Sequence, residues 1–321
     1  MKLFFINKRE YECFLDCMVT YCAYIGVDYN YAFINSVNFD FTEKGNTIAE
    51  RIKVKGLKSP RIQLTKCNDL KMDFYTGADK MSCLKNLHVG DIVFATTNTK
   101  ACPWFPKSLR NRLGHDILFI KSDEDSFYMI DPFFGFVDEN ATLTKKDIIS
   151  ICTEIIKPTV INIPARSGEQ VYIELKNHFT SYALVEENLM SRAQRLYEAF
   201  LYTDLEKDVF VEYLIVHEIP IIRKIKLLSD RWYQLAEFFE QISIDFNITD
   251  LGELITESRK LGDMWKKEYL FILVQYSDKK HRLTNEKIAS KYRHIFELEY
   301  NFSKKIIEFA ECKLADGKEN E

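Results

Sequence analysis

The chain has 321 residues, 46% of them hydrophobic and 14% aromatic, enough apolar surface for a packed core and enough length for two domains. Its formal net charge is -4 and it carries no basic block, which argues against a nucleic-acid-binding surface. The opening MKLFFINKREYE holds an apolar run too short for a secretory leader, and no stretch of about 18 apolar residues follows; neither secretion nor a membrane span is expected, and the expected compartment is the cytoplasm.

Eight cysteines (13, 17, 22, 67, 83, 102, 152 and 312) in a chain of this length and compartment are expected to stay reduced. They lack paired CxxC spacing, and no HExxH or Gly-rich phosphate loop occurs. No metal and no cofactor is therefore expected, and ATP-dependent ligation is disfavoured.

In chain order, residues 10–26 read as a helix: Phe14, Met18, Tyr21, Cys22 and Ile25 recur at helical spacing, and Gly26 marks its end. Residues 28–36 suggest a second helix, and 53–82 show no clear pattern. IVFATTN after Gly90-Asp91 is a buried-strand composition. Residues 115–121 and 126–131 read as two strands joined by an acidic turn, Ser122 to Asp125. A short helix follows, capped by Thr142 or Thr144, and 157–164 reads as the last strand. From about residue 166 long apolar stripes at helical spacing run almost to the end, where ADGKENE should fray. Helix first and strand meander second is an α+β order. The expected domains are 1–165, carrying the strands, and an all-helical 166–321 that acts as a cap or a dimerisation surface.

Three residues carry the chemistry. Cys13 stands at the start of the first helix, where backbone N–H groups and the helix dipole favour a thiolate and an oxyanion. His115 opens one strand, and Asp131 closes the next, 16 residues on. A thiol nucleophile needs a base, and the base needs an acceptor that sets its tautomer. Asn7, six residues before Cys13, can offer a side-chain amide to the oxyanion. Each has a blander alternative: Cys13 as a core cysteine like Cys17 and Cys22, His115 as a structural histidine, Asp131-Pro132 as a turn starter, Asn7 as a loop residue. Asp116 ranks below Asp131 as the orienting acceptor, because neighbouring strand residues point to opposite faces. Trp104, Phe105, Phe133 and Phe134 could exclude water, and Lys107, Arg110 and Arg112 could form a docking patch.

These spacings resemble a papain-fold family that includes the C39 peptidases and the butirosin-type acyltransferases. Asn7, Cys13, Gly26, His115, Asp131 and Pro132 fall at the matching positions. The family usually has glutamine where this chain has Asn7, and glycine where it has Phe14. The resemblance spans about residues 13–160 and implies a papain-like cysteine protease fold, with a cysteine-bearing helix and an antiparallel sheet. C39 peptidases are normally fused to a membrane transporter, whereas butirosin-type enzymes have a helical segment after the papain-like half. The resemblance therefore implies a cysteine-dependent acyltransferase of antibiotic biosynthesis. Such an enzyme moves an acyl or peptidyl group from a carrier-protein phosphopantetheine thioester to a small amine, as in closthioamide-type amide formation. The same residues would also serve a cysteine peptidase or a thioesterase, and the helical half alone would make a non-catalytic interaction module.

Overall fold

The computed structural model describes residues 3–6, 13–37, 39–41, 45, 48–54, 70–99, 114–160, 166–184, parts of 190–198, 220–277 and 284–318. It is a mixed α/β structure with one large antiparallel sheet and several long helices. The chain divides into two compact units, one of residues 1–29 and 60–164, the other of residues 30–59 and 165–321. Residues 30–59, expected in the strand-bearing half, therefore belong to the helical one.

In the first unit α1 spans Cys13–Tyr24. Its end is set by Gly26, whose φ of +68° is left-handed. The Gly26 N–H donates to the Ala23 carbonyl (3.3 Å) and the Val27 N–H to the Cys22 carbonyl (2.9 Å), the paired bonds of a Schellman stop. A Cβ at Gly26 would meet nothing within 4 Å, so conformation rather than space asks for glycine there. Residues 3–6 lie along this helix: the Thr20 hydroxyl bonds both the N–H and the C=O of Ile6, and the Tyr24 hydroxyl those of Phe4.

The sheet has β3 (Leu70–Thr76), β4 (Ile92–Asn98), β5 (Gly114–Lys121), β6 (Ser126–Asp131), β7 (Phe136–Val137), β8 (Leu143–Thr144) and β9 (Cys152–Val160). Its order is β3-β9-β4-β5-β6-β7, with β8 pairing β6. The last strand thus begins five residues before the expected 157 and is inserted between β3 and β4, paired along both of its edges. Two short helices, α3 (Asp79–Lys85) and α4 (Lys145–Ile151), complete the unit. Thr144 caps α4: its hydroxyl accepts the Asp147 N–H while the Asp147 side chain accepts that of Thr144, a capping box.

Strand parity assigns each face of the sheet. Phe94 pairs with Leu118 across β4 and β5, and its ring meets Phe14 and Tyr21 of α1, at 5.8 and 5.4 Å between centroids. Val93, Ala95, Ile117, Phe119 and Met129 form the opposite core with Cys83, Leu84 and Ile148 of α3 and α4. Helices therefore cover both faces of the sheet, and the fully apolar β4 and β5 interiors follow from that burial.

The second unit begins with a short 3₁₀ turn, Asn30–Asn35, where a second helix was expected. It continues through β1 (Phe39–Phe41), α2 (Ile48–Arg51) and β2 (Ile52–Val54), then the long helices α5 (Gly168–Ala183), α6 (Pro220–Asp245), α7 (Gly252–Ser277) and α8 (Asn285–Lys318). Helix α8 runs through ADGK, the first part of the segment expected to fray. The 30–37 segment is held to the helices by side chains: Tyr31 donates to Asp245 (2.8 Å), Asn35 to Glu174 (2.9 Å) and Ser36 to the Arg231 carbonyl (3.0 Å). Among the described residues no helix is long and apolar enough to cross a membrane.

At the centre of the second unit Glu299 of α8 is fully buried. Its Oε1 accepts the indole N–H groups of Trp232 (2.7 Å) and Trp265 (2.5 Å), and its Oε2 the Tyr182 hydroxyl (3.4 Å). Burial pushes the Glu299 carboxyl up to about 8, against the opposing pull of these hydrogen bonds. Unfolding returns it to about 4.5, so between these values the folded chain holds a proton that the unfolded chain has lost. The resulting stability is full below about pH 4.5 and drains away as pH rises towards 8, by up to about 1.4 kcal/mol per unit. Glu299→Gln keeps an oxygen for both indoles but cannot titrate. Urea midpoints read by tryptophan fluorescence should fall from pH 5 to pH 8 in the wild type, and fall distinctly less in Glu299→Gln.

Candidate active site

Cys13 is the first described residue of α1 and is partly buried. Its thiol donates to Oδ2 of Asp116 at 3.6 Å, within hydrogen-bond reach for sulfur. One turn further along α1, the Cys17 thiol donates to the Asp116 backbone carbonyl at 3.3 Å. The start of α1 is thus held on the start of β5 by two thiols. Asp116 is itself fixed from β4: Thr96, its ladder partner, donates from Oγ1 to Asp116 Oδ1 at 2.7 Å. Gly114 keeps that corner open, because a Cβ there would press on Thr96 Cγ2 at 3.2 Å.

His115 and Asp131 are brought together as expected. Nε2 of His115 lies 2.7 Å from Oδ2 of Asp131, with both side chains buried. The Asp131 Oδ1 accepts the Phe134 N–H at 3.2 Å, and Gly135, at φ +66°, completes the turn. Acceptor and turn starter, weighed above as alternatives, are two uses of one carboxylate. Asp131 holds the histidine with one oxygen and folds the 131–135 turn with the other. That turn places Phe133 and Phe134 edge-on to the imidazole, at 6.0 and 5.6 Å between centroids, and both remain well exposed.

Alternation along β5 explains the division of labour. Asp116 shares the parity of Leu118 and reaches the thiols of α1, while His115 beside it is bonded to Asp131 at the end of β6. The two groups still share one neighbourhood. Cys17 is buried, and that burial first, followed by the charges of Asp116, Cys13 and Asp131, raises its thiol far above the ordinary range. Asp116 ranked below Asp131 as the acceptor for His115, and His115 does bond Asp131; what sequence reasoning missed is the contact of Asp116 with Cys13. The same alternation that removed it as partner for His115 aims it at the helix that carries the cysteine. Asn7, Trp104, Phe105, Lys107, Arg110 and Arg112 lie outside the described residues.

A shallow cavity lined by Tyr21, Tyr24, Asp91 and Lys157 sits at the other end of α1. Its helix residues lie roughly 12–16 Å along the α1 axis from Cys13, and no cysteine lines it. The chain matches no protein-family model and no curated protein.

The described thiols differ sharply in availability. Burial pushes Cys22 up to about 12 and Cys83 to about 11, while Cys13 is partly buried and Cys312 is exposed. Iodoacetamide at pH 7.5 should therefore label Cys13 and Cys312 and spare Cys17, Cys22 and Cys83, as read by peptide mass spectrometry. Labelling of Cys17 or Cys22 in folded protein ahead of Cys13 would remove Cys13 as the reactive thiol.

Proposed function

We propose that this protein is a papain-like, cysteine-dependent acyltransferase that forms an amide through an acyl thioester on Cys13. The observation that carries the reading is one junction: an accessible thiol at a helix start, bonded to the residue next to a buried His115–Asp131 pair. A cysteine on the first helix, followed by a histidine and an aspartate on later antiparallel strands, is the order that the family resemblance implies.

In this reading Cys13 attacks the thioester of a carrier protein's phosphopantetheine arm. The oxyanion is received by the Cys13 backbone N–H and by the Asn7 side chain. His115 returns a proton to the departing carrier thiol and later takes one from the amine. Asp131, on Nε2, fixes the ring so that Nδ1 does this work. Transfer rather than hydrolysis needs a site poor in water, and the Phe133–Phe134 pair beside the imidazole supports that choice. Two aromatic faces left exposed there also offer an apolar seat for the acyl chain.

Intact-protein mass spectrometry tests the reading. Incubation with acyl-pantetheine thioesters should add one acyl mass to the wild type and none to Cys13→Ala, and an added amine should release it as an amide. Release only as free acid, with or without amine, would make the protein a thioesterase or peptidase. An adduct that survives in Cys13→Ala would end the Cys13 reading. Asp131→Asn should slow acylation by about 10²-fold or more, since the imidazole then loses its charged acceptor.

A further inference from the structure

We infer that Phe5 is a specificity-determining residue for the acyl donor: with Phe133 and Phe134 it forms an apolar seat that selects a longer, uncharged acyl chain over a short or charged one. The inference rests on the acyl-transfer reading above and adds to it the chemical class of the donor and the residue that sets it.

The argument starts from how residues 3–6 are held. Phe4 and Ile6 are anchored to α1: the Tyr24 and Thr20 hydroxyls bond their backbone groups, and the Phe4 ring stacks on Tyr24 at 4.1 Å between centroids. Phe5, between these two anchors, is directed elsewhere. Its ring edge lies against Gly135, where an added Cβ would meet Phe5 Cζ at 3.3 Å and Cε2 at 3.5 Å. Gly135 follows Phe134 in the turn that Asp131 folds beside His115. Glycine is asked for there twice, by its φ of +66° and by the approach of Phe5. The N-terminal segment thus delivers a third aromatic side chain to the turn that already carries two.

The three phenylalanines are partly exposed, Phe5 at 37%, Phe133 at 41% and Phe134 at 37%. One exposed aromatic needs no explanation, whereas a group of them marks a surface that receives an apolar ligand. The rings of Phe133 and Phe134 lie edge-on to the His115 imidazole at 6.0 and 5.6 Å between centroids, so this group borders the reacting centre. In the acyl-transfer reading the thioester lies within hydrogen-bond reach of that imidazole. A short acyl group ends there, and a longer chain continues onto the phenylalanines. None of the three side chains carries a charge or a hydrogen-bond donor. A carboxylate at the end of the chain would lose hydration against them with nothing in return.

The loading step is a thioester exchange. The acyl bond to the donor sulfur breaks, the acyl bond to the Cys13 sulfur forms, and the thiol proton passes through His115 to the departing sulfur.

Full-length wild type and Phe5→Ala are loaded separately with hexanoyl and acetyl thioesters of N-acetylcysteamine, and adduct formation is timed by intact-protein mass spectrometry. Each rate is divided by that of the same donor with glutathione, which removes differences in intrinsic reactivity. The hexanoyl-to-acetyl ratio should exceed about tenfold in the wild type, since each buried methylene is worth about fourfold. It should fall by about tenfold in Phe5→Ala, which removes one of the three rings of the seat. A wild-type ratio near unity, an unchanged ratio in Phe5→Ala, or an equal loss with both donors overturns the inference while leaving Cys13 as the nucleophile. Absence of any adduct on the wild type overturns both readings together. Should Phe5→Ala fail to fold or to load, the wild type is given an adipoyl donor, as long as hexanoyl but ending in a carboxylate. Adipoyl should load at least about tenfold more slowly than hexanoyl, and equal loading overturns the inference.

Discussion

Strand β5 commits each of its side chains to one face, and the site depends on that commitment. Paired with β4 from Gly114 to Ile120, it cannot slip by one residue without exchanging its two faces. The consequence is local and chemical. Consecutive residues, His115 and Asp116, are sent to different partners, one to the aspartate at the end of β6 and the other to the thiol at the start of α1. The apolar residues further along the strand, Ile117 to Ile120, are fully buried on the two sides and hold this parity in place. A shift in register would cost the packing of both cores at once.

The buried His115–Asp131 pair needs support, because removing charge from water costs several kcal/mol per ion unless hydrogen bonds compensate. Asp131 finds that compensation twice, from the imidazole and from the Phe134 N–H. Ladder pairing between β5 and β6 ends at Leu118 and Ile130, so His115 and Asp131 lie just past it, where side chains are freer to meet. Asp131 therefore belongs to the functional geometry and to the turn that ends β6. The same turn brings the two phenylalanines to the imidazole, so one local structure sets polarity and dryness together.

The helical unit relies on a different device. Glu299 sits among two tryptophans and a tyrosine that all donate to it, a polar core in an otherwise apolar setting. Such a network ties helices α5, α6, α7 and α8 to one register, because each donor must arrive at its own oxygen. Apolar packing tolerates small sliding movements better than a fully satisfied set of hydrogen bonds does. Residues 30–37 add to this order by bonding α5 and α6 through Asn35, Ser36 and Tyr31.

Local pattern was enough for much of the fold and for the residue types of the site. Helical spacing and Gly26 defined α1; apolar runs bounded by turn residues defined β4, β5 and β6; long stripes defined the C-terminal helices. The 16-residue interval from His115 to Asp131 was readable because a short hairpin relates its ends through sequence-near geometry. Three matters required the tertiary structure. The start of β9 at Cys152 was hidden because the helix Lys145–Ile151 runs straight into it, with no turn residue between them to mark the change. The transfer of residues 30–59 to the helical unit depends on long-range hydrogen bonds with no sequence signature. The partnership of Cys13 with Asp116 joins residues about a hundred positions apart, and alternation could say only that Asp116 faces away from His115, not what stands on the other side. The sequence alone determined which groups were available; packing α1 against one face of the sheet decided which of them meet the thiol.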